Sequence, residues 1–251
     1  ARKARTQSRT VEPLAQVGPS AIEEFGSLLP FRLTGGQKKV MSEIVADISA
    51  GRLVQRLVQG EVGSGKTTVA VFLQWLCARQ GSQSVFLAPT EILAEQHFLN
   101  WQGFFLRQGI SVALLVGQMP QSQKDAVAAG ALSGEVKVLI GTHALLSEKL
   151  TFADLKAVVV DEQHKFGVQQ RELLRQKGDR AHYLIMSATP IPRSIALTFY
   201  GNLDLSLIGD LPMGERRVAT YLFSREERER VFAFIQERTA GGAQGFFVTP
   251  A

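Results

Sequence analysis

The sequence is poor in cysteine, in long apolar runs and in acidic residues near its start. Cys77 is the only cysteine among 251 residues, which excludes an internal disulfide and any cysteine-rich metal site and fits a reducing cytoplasm. No run approaches the ~18 apolar residues of a membrane-spanning helix, so we expect no membrane partner. The first ten residues hold four basic residues and no acid, and the first residue is Ala1 and not Met. We therefore expect a part of a longer chain.

The composition predicts a folded protein with an anionic partner. Hydrophobic residues make up 45% of the chain, which is enough for a core, while charged residues make up 20%. The net charge of +5 weakly favours an anionic partner. Residues 1–25 are polar and basic, and we predict a flexible tail or linker there.

From residue 26 to residue 212, short apolar runs alternate with helical patterns. We predict helices over residues 66–79, 91–106 and 121–132, the first with one apolar face and with Gly81 just past its end. The predicted strands are residues 56–59, 84–88, 111–116, 136–141, 157–160 and 182–187. Because these strands are continuously apolar, they suit an α/β fold in which a mostly parallel sheet has helices on both faces.

The pattern changes after residue 212. We predict a strand at 220–223, a charged helix at 225–238 and a strand at 244–248. This order predicts that residues 213–251 are a linker and the start of a second domain of the same class.

Residues 60–67 match the phosphate-loop pattern and lie between a predicted strand and a predicted helix. The glycines let backbone amides approach phosphate oxygens, Lys66 supplies a positive charge, and the Thr67 hydroxyl is suited to bind Mg²⁺. The alternative is a glycine-rich turn without a ligand. The flanking strand and helix favour the phosphate loop.

Two further groups of polar residues follow apolar strands. Asp161 and Glu162 come directly after the strand at 157–160, and Ser187 and Thr189 end or follow the strand at 182–187. Since ligands bind at the carboxyl edge of parallel sheets, Asp161 is a candidate Mg²⁺ ligand and Glu162 a candidate for orienting a water. The alternatives are a solvated acidic turn and hydroxyls that cap a helix.

Taken in order, these segments resemble motifs I, II and III of superfamily-two helicases and translocases. The resemblance to the RecG family of branched-DNA helicases is closer and covers residues 31 to about 212. It is carried by residues 31–37, 88–97, 141–145, 161–171 and 186–204. The resemblance implies the first RecA-like, phosphate-loop NTPase domain of a DNA motor that uses ATP and Mg²⁺ as cofactors.

The resemblance also implies roles for single residues. Catalysis would involve Lys66, Asp161 and Glu162, and Thr67 and Asp161 would hold the metal. The implied nucleotide-binding set is Phe31, Gln37, Gly60, Glu61, Val62, Gly63, Ser64, Gly65, Lys66 and Thr67, with Gln37 reading the adenine and Phe31 near the base. Gln163, His164, Ser187 and Thr189 would couple the nucleotide to DNA, whose phosphates Thr90 and Thr142 would hold. Thr90 as a helix cap, and His164 as a structural histidine, are the alternatives.

The implied partners are DNA, as branched duplex and as a single tracking strand, together with a second RecA-like lobe and a wedge domain. The second lobe would supply arginines to the reaction, so we expect these 251 residues to bind ATP and to hydrolyse it weakly. A transcription-repair coupling translocase and a nucleotide- or DNA-binding module without turnover remain alternatives, as does another class of phosphate-loop ATPase.

Overall fold

The computed structural model describes residues 17–147, 149–162, 181–189, 203–211 and 219–248. The chain divides into a first unit that ends at residue 214 and a second that begins at residue 215, two residues from the predicted boundary. Among the described residues, no helix combines the length and the apolar character needed to cross a membrane.

The described part of the first unit alternates helices with strands. Its helices are α1 Ser20–Ser27, α2 Gly35–Ser49, α3 Lys66–Arg79, α4 Glu91–Arg107 and α5 Gln121–Ser133, with a 3-10 turn at His143–Leu146. Its strands are β1 Gln55–Gly60, β2 Gln83–Leu87, β3 Val112–Leu115, β4 Val138–Gly141, β5 Leu155–Asp161, β6 His182–Ser187 and β7 Asp204–Ile208. All six predicted strands and all three predicted helices of this unit are present.

The seven strands form one sheet in the order β3-β4-β2-β5-β6-β1-β7, and every pair of neighbours is parallel. The predicted α/β fold is therefore confirmed. Because all the strands are parallel, their carboxyl ends lie at one edge of the sheet. The phosphate loop follows β1, and the acidic pair follows or ends β5, so this order places both at the same edge.

Successive strand residues alternate between two cores, one on each face of the sheet. In β2, Phe86 belongs to the core built with α1 to α4, whereas Val85 and Leu87 belong to the core beneath α5. In β5, Val159 and Val160 divide in the same way. Burial on both faces explains why these strands are continuously apolar in the sequence.

Helix α3 is more deeply buried than its predicted single apolar face implies. Every residue from Thr68 to Ala78 is buried, including the polar Gln74. Gly81 lies just past the helix end with a positive φ of 78°, as predicted. Cys77 is fully buried in this helix, and burial, with a smaller effect of the Asp154 charge, raises the pKa of its thiol to about 12.

The predicted tail at residues 1–25 is too long. Residues 20–27 form α1, and Ile22 and Phe25 pack in the core of the first unit. The Phe25 ring lies 5.2 Å from the Phe72 ring and 5.5 Å from the Phe104 ring, measured between centroids. The apolar residues of this segment have the spacing of a docked helix. The basic residues that precede it favour a tail, which is why the predicted tail extends too far.

The second unit, in its described residues 219–248, contains one helix, α6 Arg228–Ala240, preceded by a 3-10 turn at Arg225–Glu227. The helix prediction is confirmed. The two predicted strands at 220–223 and 244–248 are wrong, because neither segment forms a strand. Leu222, Phe246 and Val248 are more than 90% exposed, so these apolar runs are not paired into a sheet.

Candidate nucleotide and DNA site

The phosphate loop leaves β1 at Gly60 and enters α3 at Lys66. Gly63 and Gly65 have φ values of 87° and 82°, a region that disfavours other residues. A Cβ on Gly60 would lie 2.5 Å from Ser64 Oγ and 3.0 Å from the Ile208 carbonyl oxygen, and one on Gly65 would collide with Gln37 Nε2. The three glycines are therefore required by the shape of the loop, whatever it binds.

Lys66 is half-buried at the start of α3. Its Nζ donates to the carbonyl oxygens of Gly60 at 2.8 Å and Glu61 at 3.0 Å, so the ammonium group lies inside the loop. Burial lowers the pKa of Lys66, and the negative charges of Glu162 and Asp161 partly oppose this shift. The effect of both carboxylates on the Lys66 pKa reflects the proximity of the three side chains.

The strand register explains why these groups meet. Asp161 on β5 pairs with Met186 on β6, and Ser187 on β6 pairs with Gln59 on β1. The ends of three adjacent strands therefore bring together the acidic pair, Ser187 and the start of the phosphate loop. This is the convergence that the sequence predicts.

Glu162 has an unusual backbone and a well-bound side chain. Its φ is 47°, the one positive value that a residue other than glycine shows within the described ranges. Its backbone N–H donates to the Met186 carbonyl oxygen at 2.9 Å, and Oε1 accepts from Ala188 N at 2.8 Å. This strained conformation, which costs roughly 1–3 kcal/mol, turns the carboxylate back over the end of β6.

The residues after β6 continue this hydrogen-bonded chain. Ser187 Oγ donates to Glu162 Oε2 at 3.2 Å and lies 2.9 Å from Thr189 Oγ1. Ser187 is buried, whereas Thr189 is exposed. Hydrogen bonds therefore link these hydroxyls to Glu162 of the acidic pair. Gln163 and His164 lie outside the described residues.

Gln37 contacts the phosphate loop. It is 1% exposed, and its Nε2 donates to the Ser64 carbonyl oxygen at 2.9 Å. Its Oε1 accepts from Thr34 N at 3.0 Å, while Thr34 Oγ1 accepts from Gln37 N, which caps α2. A direct contact of Gln37 with adenine stays a prediction, as does the position of Phe31 near the base; Phe31 is 43% exposed.

His97 is a site residue that the sequence did not reveal. It lies on α4, and its Nε2 is 3.4 Å from Asp161 Oδ2. Its ring packs on Phe86 of β2 with centroids 4.5 Å apart. No spacing or motif in the sequence predicts a contact between His97 and Asp161. The contact depends on how α4 crosses the sheet.

The two predicted DNA contacts differ in accessibility. Thr90 is exposed and caps α4, where its hydroxyl accepts from Leu93 N at 3.3 Å. Thr142 is 2% exposed, and its buried hydroxyl has no hydrogen-bond partner among the described residues. The Thr142 hydroxyl is therefore enclosed in this arrangement, and its contact with a DNA phosphate stays a prediction. Thr90 as a DNA contact stays a prediction.

The residues at this edge fit a magnesium nucleotide. The loop offers a cation at Lys66, a half-buried hydroxyl at Thr67 and glycines where a side chain would obstruct the backbone. The Asp161 side chain is only 15% exposed, and its negative charge is close enough to Lys66 to oppose the effect of burial, which lowers the pKa of that lysine. A carboxylate and a hydroxyl are oxygen ligands of the kind that Mg²⁺ prefers.

The fold and this site are those of the DEAD/DEAH box helicase family. The model of that family matches residues 34–198, and the chain belongs to the family. Among curated proteins, the chain is 44% identical over 228 residues to the ATP-dependent DNA helicase RecG of Thermotoga maritima, covering 91% of this chain and 29% of that protein. It is 40% identical to RecG of Bacillus subtilis, with coverages of 90% and 33%.

Solved structures agree with the sequence comparison. A structure of RecG bound to a three-way DNA junction superposes with a TM-score of 0.79 at 40% identity, covering 94% of this chain and 32% of that one. The helicase MrfA superposes with a TM-score of 0.60 at 17% identity, which supports the fold alone. The chain spans about a third of the length of the RecG relatives that it matches, between 28 and 36%.

Proposed function

We propose that the chain is the ATP-binding motor lobe of a RecG-like DNA helicase, which couples ATP hydrolysis to the remodelling of branched DNA. One observation carries the proposal. The phosphate loop after β1 and the acidic pair at the end of β5 meet at one edge of the sheet, with the end of β6 between them.

Each residue of this edge has a role that its position supports. Lys66 and the backbone amides of the loop bind the phosphates, while Thr67 and Asp161 hold Mg²⁺. The bound ion neutralises charge on the phosphate oxygens. Glu162 orients the attacking water, and its hydrogen bonds to Ala188 and Ser187 fix the direction of its carboxylate.

The same hydrogen bonds support coupling between nucleotide and DNA. Ser187 and Thr189 bond each other and connect Glu162 to the segment after β6. A change at the γ-phosphate that moves Glu162 would also move this segment. We propose that Gln163 and His164, which follow Glu162 directly, belong to the same coupling path.

The proposed substrate is DNA with a branch. Support comes from the relatives, which are named ATP-dependent DNA helicases, and from the solved RecG complex with a three-way junction. A second RecA-like lobe and a wedge domain are proposed partners, since the matched relatives are about three times as long as this chain. We expect efficient turnover only where a second lobe completes the site.

The alternatives are less well supported. The relatives named above are RecG proteins and none is a transcription-repair coupling translocase. A module without turnover would not need Glu162 in a strained conformation that directs its carboxylate to the site.

The proposal is tested first by ATP binding. A fluorescent ATP analogue should bind the 251-residue chain with Mg²⁺, and Lys66→Ala should weaken binding by at least tenfold. ATP hydrolysis by a full-length protein carrying this chain should then be stimulated more by a three-way DNA junction than by linear duplex of the same length. No nucleotide binding would end the proposal, and equal stimulation would refute the branched substrate.

A further inference from the structure

The first turn of α2 is held by a carboxylate from the far end of the first unit. Asp210, two residues beyond the end of β7, accepts a hydrogen bond from Gly36 N at 2.7 Å, across 174 positions of the chain. Gly36 is the second residue of α2 and immediately precedes Gln37. The contact therefore joins the end of β7 to the helix that carries the phosphate-loop contact.

Two consecutive glycines make room for this carboxylate. Glycine in a helix is unfavourable by ~1 kcal/mol relative to alanine, so a pair of them in the first turn needs a reason. Neither Gly35 nor Gly36 has a positive φ. A Cβ on either would lie 3.3 Å from Asp210 Oδ2, closer than ordinary packing distance. The close approach of Asp210 therefore explains the glycines where backbone conformation does not.

Asp210 also supplies a charge that α2 lacks. The first turn of the helix contains no acidic residue, and Lys38 and Lys39 follow it. Backbone N–H groups at a helix N-terminus favour a nearby negative charge. An aspartate that accepts from Gly36 N satisfies one free donor and places that charge at the helix end.

The turn that Asp210 holds is the turn that positions the phosphate loop. Gln37 caps α2 together with Thr34, and it is almost fully buried with its Nε2 bonded to the Ser64 carbonyl oxygen. Gln37 Nε2 occupies the place that a Cβ on Gly65 would take and is bonded to the loop, so a shift of the helix end would disturb this contact.

We propose that Asp210 is a positioning residue for the nucleotide: its carboxylate fixes the N-terminal turn of α2 and thereby holds Gln37 against the phosphate loop. This inference rests on the proposed function, since it needs the loop to bind a nucleotide. Asp210 acts through Gln37 and not by contact with the ligand.

The test compares Asp210→Ala with Asp204→Ala in the 251-residue chain. Asp204 is an exposed aspartate at the opposite end of the same strand, so it controls for loss of surface charge. We expect Asp210→Ala to weaken binding of a fluorescent ATP analogue by about tenfold, the size of a lost helix cap, and Asp204→Ala to leave it unchanged. Asp210→Asn, which keeps an acceptor oxygen, should restore most of the affinity.

A double-mutant cycle checks the route through Gln37. If Asp210 acts through this residue, Asp210→Ala should have little further effect on affinity in a Gln37→Ala chain. Affinities are measured well below the unfolding temperature of each variant, where a loss of global stability alone does not change the folded fraction. Unchanged affinity in Asp210→Ala overturns the inference, and full additivity overturns the route through Gln37. Absence of binding by the unsubstituted chain overturns the proposed function itself.

Discussion

The two edges of the sheet use buried polar side chains for different purposes. At the amino edge, the polar groups bond one element to another. Arg56 near the start of β1 pairs with Asp47 of α2 at 2.6 Å, and Gln83 at the start of β2 donates to the Val136 carbonyl oxygen at 2.8 Å. His182 at the start of β6 accepts from Val54 N at 3.0 Å. This ion pair and these hydrogen bonds hold neighbouring helices, strands and loops together.

At the carboxyl edge, the polar groups surround a shared space. Lys66 and Glu162 are only partly buried, and the backbone adopts positive φ values at Gly63, Gly65 and Glu162. Ser64 Oγ is buried without a hydrogen-bond partner in the part of the chain that the structure describes. The comparison indicates that polar residues at the amino ends of the strands contribute mainly to stability. Those at the carboxyl ends contribute mainly to binding and turnover. Substitutions at one edge should change unfolding, and those at the other should change binding and turnover.

The largest expected effect lies at the carboxyl edge. In a full-length protein, Glu162→Gln should lower ATP turnover by at least ~100-fold, because the amide cannot accept a proton from or orient water as a carboxylate does. The Gln side chain can still accept from Ala188 N, so ATP affinity should change little. Steady-state hydrolysis and nucleotide titration measure both. A normal turnover rate would show that Glu162 has no role in hydrolysis.

The phosphate loop offers a matched pair of glycines. Gly65→Ala should weaken ATP binding by tenfold or more, because the new Cβ combines backbone strain of ~1–2 kcal/mol with a collision against Gln37. Gly63→Ala introduces similar strain at a position with no atom within 4 Å of the new Cβ. Titrations of the two variants should therefore rank Gly65→Ala as the more damaging. The reverse order would contradict the contact between Gln37 and the loop.

The amino edge should respond to pH through His182. Burial, with a smaller effect of the Lys156 charge, lowers the pKa of this histidine to about 4 in the folded protein, against 6.5 without these effects. The unfolded chain therefore binds the proton more readily, so stability is full above pH 6.5 and falls as pH drops toward 4, by about 3 kcal/mol in total.

Unfolding by denaturant at several pH values tests this dependence. His182→Asn keeps an acceptor near Val54 N and removes the titration, so its stability should vary less between pH 6.5 and 4. The original chain, unfolded at the same pH values, serves as the control. An unaltered slope in His182→Asn would assign the pH dependence to other groups.

The smallest effects are expected at two threonines of the carboxyl edge. Thr142→Val preserves shape and removes a hydroxyl that has no described partner, so stability should be unchanged or rise by about 1 kcal/mol. Thr90→Val removes the cap of α4 and should cost about 1 kcal/mol. If the hydroxyl stays enclosed when DNA binds, DNA affinity should be insensitive to Thr142→Val. A loss of DNA affinity in that variant would mean that the hydroxyl becomes exposed when DNA binds.

Much of the fold could be predicted because the middle of each central strand is an apolar run. The exception is β7 at the edge of the sheet, where Asp204, Ser206 and exposed Leu207 interrupt the apolar run. Helix α2 begins with two glycines, which ordinarily argue against a helix, and their reason lies in a carboxylate 174 residues away. Such contacts are not visible in local patterns.

Some features of the candidate site could likewise be predicted from the sequence, and others could not. The residue types and strand ends predict that Lys66, Asp161 and Ser187 converge, and they do. The strained backbone of Glu162 and the contact of His97 with Asp161 could not be predicted, because both depend on the three-dimensional path of neighbouring elements. The sequence predicts the strand end at which Thr142 lies, but it does not reveal which way the side chain points.

The burial of Cys77 has a practical consequence for following motion in this protein. A thiol that is fully enclosed and whose pKa is raised to about 12 forms little reactive thiolate at neutral pH, so maleimide dyes should leave it unlabelled in the native state. A new cysteine on an exposed position would then be the single point of attachment. Fluorescent reporters can be introduced without first replacing the natural residue.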